Sequence, residues 1–165
     1  MTDDGVLETR DDGKSVVRFE RHLGHPVERV WAALTEPDQL LAWWGDADVD
    51  LAGGSFTIRW LNTDDDGNSV VMRARITELD PPNLLEIAGE PHGVLRFELR
   101  ADGGGTALTF TSTLELPDEY RAKVLAGWHC HLDFLAGALD GRRADLVNVA
   151  DGPWAAIHER YAAAL

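Results

Sequence analysis

Residues 118–140 read DEYRAKVLAGWHCHLDFLAGALD, and this stretch decides how the rest of the chain can fold. Its large apolar residues recur at spacings of three and four, which places them on one face of an α-helix. Asp118 and Glu119 suit the first turn, where the helix dipole favours negative charge, and Gly141 suits the C-cap. A helix with one broad apolar face is stable only when it packs against other elements. The apolar face comprises Val124, Trp128, Leu132, Leu135 and Leu139.

The preceding part of the chain supplies strands for that packing. Apolar and polar residues alternate in four stretches, which is typical of antiparallel strands with one buried face. Leu84–Ala88 predicts a fifth, shorter strand, and Val6–Arg10 and Ser15–Leu23 predict two more at the N-terminus. Turn-forming sequences such as Asp66-Gly67 separate the strands. The alternating stretches are residues 55–61, 70–77, 95–99 and 108–114.

Two short helices are predicted between the second strand and the later strands. The sequence HPVERVWAALT, residues 25–35, places Pro26 at a first helical position. A second helix begins at Pro37 and ends at Gly45. In the first helix a stripe at helical spacing is formed by Val27, Val30, Trp31 and Leu34.

This order of elements predicts an α+β fold in a single domain spanning residues 1–165. One strongly curved antiparallel sheet wrapped around the long C-terminal helix would cover every apolar face. Residues 1–14 would form a strand and turn extension at the N-terminus. Residues 142–165 would form a polar linker followed by a short C-terminal helix.

Composition restricts the classes of function. The chain has 165 residues, of which 44% are hydrophobic and 27% are charged, as is usual for a globular domain. Its formal net charge of −14 repels phosphates and anionic lipids, so neither a nucleic acid nor a membrane is expected as a partner. The N-terminal sequence lacks the apolar core of a secretion signal, so we expect a cytoplasmic protein. Cys130 is the single cysteine, which excludes a disulfide within the chain and a cysteine-rich zinc site.

Two of these stretches resemble a known superfamily. FERHLGHPVERVWAALTEPDQLLAWWG, residues 19–45, is similar to the opening of START-like (SRPBCC, Bet v-type) domains. GWHCHLDFLAGALDG, residues 127–141, resembles the signature of one branch, the homologues of the activator of the heat-shock protein 90 ATPase. The resemblance implies a helix-grip, in which a curved antiparallel sheet surrounds the C-terminal helix and two short helices close one end.

The resemblance also implies a cavity for an apolar small molecule between the sheet and the helix. Strand alternation and the helix face predict which side chains point into that interior. They are almost all apolar, which suits a ligand pocket and equally suits a dry core. We expect an apolar or aromatic ligand, no cofactor and no metal ion. The predicted ligand-binding residues are Phe56, Ile58, Trp60, Met72, Phe97, Phe110, Ser112, Trp128, His131, Leu132 and Leu135.

Catalysis is a second possibility, because some members of the superfamily are enzymes of the polyketide cyclase or hydrolase type. The sequence has no recognisable nucleophile with its base, no phosphate-binding glycine loop and no convergent carboxylate pair, so it favours binding over catalysis. An enzyme would need a polar set inside the cavity. That set would combine His131 with one of Ser112, Arg21 and Tyr120.

A protein-interaction module, including one that regulates a chaperone, is a third possibility. It predicts a large exposed apolar patch outside the cavity, around Trp154 and Tyr161. The same C-terminal tail, or an edge of the sheet, could support a homodimer.

Other polar and aromatic residues of the long helix have simpler interpretations. His129 and His131 are two positions apart, so they point to opposite sides of the helix and cannot bind one metal ion. His129 is expected to pair with Asp133 on the outer, solvated face. Cys130 has no obvious activating partner and is expected to be structural. Trp43-Trp44 is expected to pack at the mouth of the cavity.

Overall fold

The computed structural model describes residues 3–165, which form one antiparallel sheet and four helices. The predicted extension, residues 1–14, is therefore seen from Asp3 onward, and Met1–Thr2 lies outside the described residues. The helices are α1 (Val27–Thr35), α2 (Pro37–Leu40), α3 (Arg121–Leu139) and α4 (Pro153–Ala164). The strands are β1 (Val6–Thr9), β2 (Ser15–Leu23), β3 (Asp46–Asp50), β4 (Ser55–Arg59), β5 (Val71–Asp80), β6 (Leu84–Gly89), β7 (Gly93–Asp102) and β8 (Gly105–Leu114).

The sheet has the strand order β1-β2-β8-β7-β6-β5-β4-β3. Strands β3 to β8 form a meander, and β2 returns the N-terminal hairpin to the free edge of β8. Phe19, Phe110 and Phe97 lie opposite one another on β2, β8 and β7, and all three are buried. This row of rings lies in the same core as the apolar residues of α3. The α+β helix-grip predicted from the sequence is confirmed.

The long helix differs from its prediction at its two ends. Asp118–Tyr120 forms a 3₁₀ turn after Pro117, and the α-helix begins at Arg121. A tighter turn of this kind is common at helix ends. At the other end the C-cap is Asp140, and Gly141, which was predicted as the C-cap, follows it with a φ of +86°, which a residue with a side chain rarely adopts.

One strand of the sheet was not predicted. Asp46–Asp50 reads DADVD, and three aspartates in five residues argue against a strand on propensity alone. The segment pairs with β4 on one side only and forms an edge of the sheet. Charged side chains on an edge strand discourage pairing with another molecule, while Ala47 and Val49 pack against the core.

The C-terminal helix covers the side of α3 that was predicted to face solvent. Tyr161 of α4 is only 5% exposed, and Trp154 and Ile157 pack against the same core. The hydroxyl of Tyr161 lies 2.8 Å from Nδ1 of His129. The expectation that His129 lies on a solvated face is therefore wrong, because α3 lies between the sheet and α4. The expected exposed patch around Trp154 and Tyr161 is not found, because both side chains pack against the core of the same domain.

Within residues 3–165, no helix combines the length and apolar character that are needed to cross a membrane.

Candidate functional site

The centre of the domain is filled by side chains. Phe56, Phe97 and Phe110 have no exposed surface, and Trp44 is 1% exposed. The indole of Trp44 lies 5.6 Å from the ring of Phe56 and 5.5 Å from that of Trp128, measured between ring centroids. Trp44 therefore occupies the space between sheet and helix that the resemblance assigned to a ligand. Eight of the eleven predicted ligand-binding residues pack in this core: Phe56, Ile58, Met72, Phe97, Phe110, Ser112, Leu132 and Leu135.

The other three predicted residues line an open pocket at one end of the core. The pocket has a volume of about 200 Å³ and lies between the β4–β5 and β6–β7 connections, the first half of α3 and the start of α4. It adjoins the indole of Trp44, which lies 5.7 Å from Trp60. The pocket is lined by Trp60, Asn62, His92, Lys123, Val124, Gly127, Trp128, His131, Val149 and Trp154.

Five of the ten residues that line the pocket carry aromatic rings. The imidazole of His92 stacks on the indole of Trp60, with 4.6 Å between centroids and 29° between planes. Trp128 meets Trp60 edge-on at 6.4 Å and meets His92 at 5.9 Å. Aromatic pairs prefer these offset and edge-to-face arrangements, so the wall is held in shape by its own contacts.

The backbone of α3 leaves room beside these rings. Gly127 lines the pocket, and a Cβ atom placed on it would meet no atom within 4 Å. Glycine is unfavourable inside a helix by about 1 kcal/mol relative to alanine. Here the absence of its side chain keeps the floor of the pocket open.

His131 is the predicted polar residue with the most defined environment. Its Nδ1 atom lies 2.9 Å from the backbone carbonyl oxygen of Trp43, and burial lowers the pKa of His131 to about 4. The imidazole is therefore neutral at physiological pH. Since the carbonyl oxygen can only accept, Nδ1 carries the proton and Nε2 keeps a free lone pair. His131 thus supplies a hydrogen-bond acceptor to an otherwise largely apolar pocket.

His92 is a second neutral imidazole on the pocket wall. Burial, reinforced by repulsion from His131, lowers the pKa of His92 to about 4. Its Nε2 atom is buried and has no hydrogen-bond partner among residues 3–165. The backbone carbonyl oxygen of His92 accepts a hydrogen bond from Oγ of Ser112 at 3.3 Å. Ser112 therefore fixes the loop that carries His92.

The polar residues proposed for catalysis do not come together. Nδ1 of His131 is used by Trp43, and the hydroxyl of Ser112 faces the carbonyl of His92. Arg21 forms an ion pair with Asp133 at 2.8 Å on the opposite side of α3. Tyr120 is 46% exposed. In the described part of the chain, no hydrogen bond joins any two of these four residues, His131, Ser112, Arg21 and Tyr120.

Several pocket residues were not singled out from the sequence. His92 and Asn62 lie in connections between strands, where no periodicity predicts the direction of a side chain. Val149 lies in a short 3₁₀ turn within the stretch that was predicted to be a polar linker. Trp154 was expected in an exposed apolar patch, and its place on the pocket is set by the tertiary packing of α4, which the sequence does not show.

Across the described residues, no group of three or more His, Cys, Asp or Glu side chains is arranged to hold a metal ion. His129 and His131 lie on different sides of α3, as their spacing predicts: His129 meets Tyr161, and His131 meets Trp43. The single cysteine, Cys130, is buried between them.

Comparison with known proteins gives a family and a fold. Residues 24–140 match the family model described as Activator of Hsp90 ATPase homolog 1-like protein. Among curated proteins, no sequence matches the chain.

Solved structures with the same fold come from several bacteria. CalU16 from Micromonospora echinospora is 23% identical, with a TM-score of 0.71 over 99% of this chain and 98% of that one. The protein encoded by gene BPP1335 from Bordetella parapertussis is 27% identical, with a TM-score of 0.70 over 91% and 86%. The AHSA1-like protein from Aeromonas hydrophila is 22% identical, with a TM-score of 0.65 over 76% and 92%.

Proposed function

Because the chain belongs to the Activator of Hsp90 ATPase homolog 1-like protein family, whose fold is known for ligand binding, we propose that it binds a small aromatic molecule in the pocket beside α3. The observation that carries this proposal is the wall of Trp60, Trp128 and Trp154 around about 200 Å³ of open space. Pockets for small molecules are lined mainly by apolar and aromatic groups, with a few polar groups that fix orientation.

The volume of the pocket limits the size of the ligand. An apolar cavity of about 150 Å³ accommodates a benzene ring. A pocket of about 200 Å³ therefore suits one or two fused rings.

The polar groups of the pocket select the ligand further. Nε2 of His131 is a neutral acceptor, so it favours a ligand with a hydroxyl or N–H donor. An acceptor that is left unpaired in an apolar site disfavours a ligand without a donor. A bicyclic phenol such as 2-naphthol combines the expected size, shape and donor.

Blocking the pocket from Gly127 tests this function. The Gly127→Leu substitution adds a side chain where the backbone leaves open space, and it also improves helix propensity. We expect the protein to bind 2-naphthol by isothermal titration calorimetry, and we expect Gly127→Leu to weaken that binding at least tenfold while the thermal stability is kept.

A matched control lies on the same helix. Gly137 is outside the pocket, and a Cβ atom there would meet only the flexible side chain of Arg142, at 3.7 Å. The Gly137→Leu substitution should leave the affinity for 2-naphthol unchanged. If the two leucine variants bind equally well, or if the unmodified protein does not bind 2-naphthol, the proposed function is wrong.

A further inference from the structure

We propose that the ligand of this pocket is an aromatic acid, with a carboxylate at Lys123 and a hydrogen-bond donor at His131. This inference rests on the proposed function, since it concerns the same pocket. It adds the charge of the ligand and the direction in which the ligand lies.

The first observation is the charge of the pocket lining. The chain has 29 acidic residues against 15 lysines and arginines, yet none of the ten described residues that line the pocket is acidic. Four other surface depressions of residues 3–165 each include at least one acidic residue: Glu98, Glu90 with Glu115, Glu28 and Asp38 respectively. The described lining of this pocket therefore differs in charge from the linings of those four depressions.

The second observation is a lysine on the pocket lining. Lys123 is one of only two lysines in the sequence. It forms no ion pair with any other described residue, although most arginines of the chain do so, and its Nζ atom lies 5.3 Å from the ring centroid of Tyr120. Since Lys123 is exposed and also lines the pocket, it marks the solvent side.

The third observation is the spacing along α3. Lys123, Gly127 and His131 follow one another at intervals of four residues, so they lie along one face of the helix. Eight residues of α-helix span about 12 Å. The glycine between the two polar residues leaves the space between them open.

These positions give the ligand a direction. A carboxylate placed near Nε2 of His131 would face a lone pair, because Nδ1 carries the proton. The anionic group therefore belongs at Lys123, and the donor belongs at His131. A flat molecule with these two groups at opposite ends would lie over Gly127 against Trp60 and Trp128, as in 6-hydroxy-2-naphthoate.

The test compares 6-hydroxy-2-naphthoate with 6-hydroxy-2-naphthamide by isothermal titration calorimetry at neutral pH. The two compounds share size, ring and hydroxyl group, and they differ in the negative charge. We expect the carboxylate to bind about three- to fivefold more tightly, as an ion pair at a partly solvated site contributes modestly.

Variants assign the difference to Lys123. Lys123→Met removes the charge and keeps most of the apolar stem, so we expect the ratio of the two affinities, carboxylate over amide, to fall to about one. Lys14→Met makes the same change in net charge at the other lysine, which lines a different depression, and should keep the preference.

Each outcome separates this inference from the proposed function. If both compounds bind equally, or if Lys14→Met removes the preference as completely as Lys123→Met, the inference of an aromatic acid is wrong. The proposed binding of an aromatic molecule in the pocket is then unaffected. If only the amide and 2-naphthol bind, the inference is likewise overturned. If no naphthalene compound binds, the proposed function fails and this inference fails with it.

Discussion

The Nδ1 atom of His131 lies 2.9 Å from the carbonyl oxygen of Trp43, so α3 is tied to the turn that follows α2. This bond fixes two features of the site at once. It holds the turn from which Trp44 enters the core, and it leaves Nε2 of His131 as an acceptor. The filling of the interior and the polarity of the remaining pocket therefore depend on the same contact.

The buried neutral imidazole makes stability depend on pH. The pKa of His131 is lowered by burial to about 4 from an ordinary value of 6.5, so the unfolded chain binds a proton that the folded protein does not. The contribution of neutral His131 to the free energy of unfolding is complete above pH 6.5, and it is lost as the pH falls toward 4. In this window one such group changes the free energy of unfolding by about 1.4 kcal/mol per pH unit.

The His131→Asn substitution keeps an N–H donor for Trp43 and removes the titration. We expect the free energy of unfolding, measured with urea between about pH 4.5 and 6.5, to depend less steeply on pH in the variant. The difference in slope should correspond to the uptake of up to one proton fewer on unfolding. His92 has a pKa lowered in the same direction, so the slope is reduced and not abolished. Equal slopes in the two proteins would contradict a neutral, buried His131.

A hydrogen-bond chain holds α4 against α3 and the N-terminal segment. The Tyr161 hydroxyl accepts a hydrogen bond from the backbone N–H of Gly5 at 2.8 Å and forms a second hydrogen bond with Nδ1 of His129 at 2.8 Å. The Tyr161→Phe substitution leaves both partners unpaired in a buried region, so it should lower the free energy of unfolding by about 1–3 kcal/mol. Tyr120→Phe, at an exposed site, should change it by less than about 0.5 kcal/mol. Chemical denaturation of both variants decides the matter, and equal losses would contradict the role given to Tyr161.

Trp44 limits the size of the pocket. The Trp44→Ala substitution should destabilise the protein by about 3–5 kcal/mol and leave a cavity that joins the pocket between Trp60 and Trp128. Added indole should then raise the melting temperature of the variant more than that of the unmodified protein. Trp31→Ala, on α1 outside the pocket, should show no comparable rise in melting temperature when indole is added. An indole effect of the same size in both variants would contradict the joined cavity.

Cys130 is expected to be chemically inert in the folded protein. It is 1% exposed, and burial together with the nearby charge of Asp133 raises the pKa of its thiol to about 11. A thiolate is the reactive form, so reaction with a disulfide reagent near pH 8 should be negligible without denaturant and complete in urea. Fast reaction of the native protein would show that this face of α3 opens.

The elements with strong periodicity could be predicted from the sequence. Strict alternation marks β4, β7 and β8, and the stripe on α3 requires a covering sheet, so together they specify the helix-grip. The edge strand β3 was not predicted from the sequence because its aspartates have low strand propensity. It is a strand because it pairs with β4, and this pairing depends on the tertiary structure.

The location of open space could not be predicted in the same way. Alternation shows that Phe56 and Phe97 face inward, but it does not show what lies opposite them. The answer is Trp44, whose direction is set by the non-periodic turn after α2 and by the bond between Trp43 and His131. The exposure of His129 was wrongly predicted for a related reason. The sequence of α3 does not predict that α4 packs against it.

The central claim is that an aromatic molecule binds between the tryptophans at one end of the core. The chain has six tryptophans, and each indole N–H gives its own signal in a ¹⁵N–¹H correlation spectrum. On titration with 2-naphthol, we expect the signals of Trp60, Trp128 and Trp154 to shift and saturate while that of Trp31 stays in place. Signals that remain unchanged at millimolar 2-naphthol, or a shift confined to Trp31, would contradict the claim.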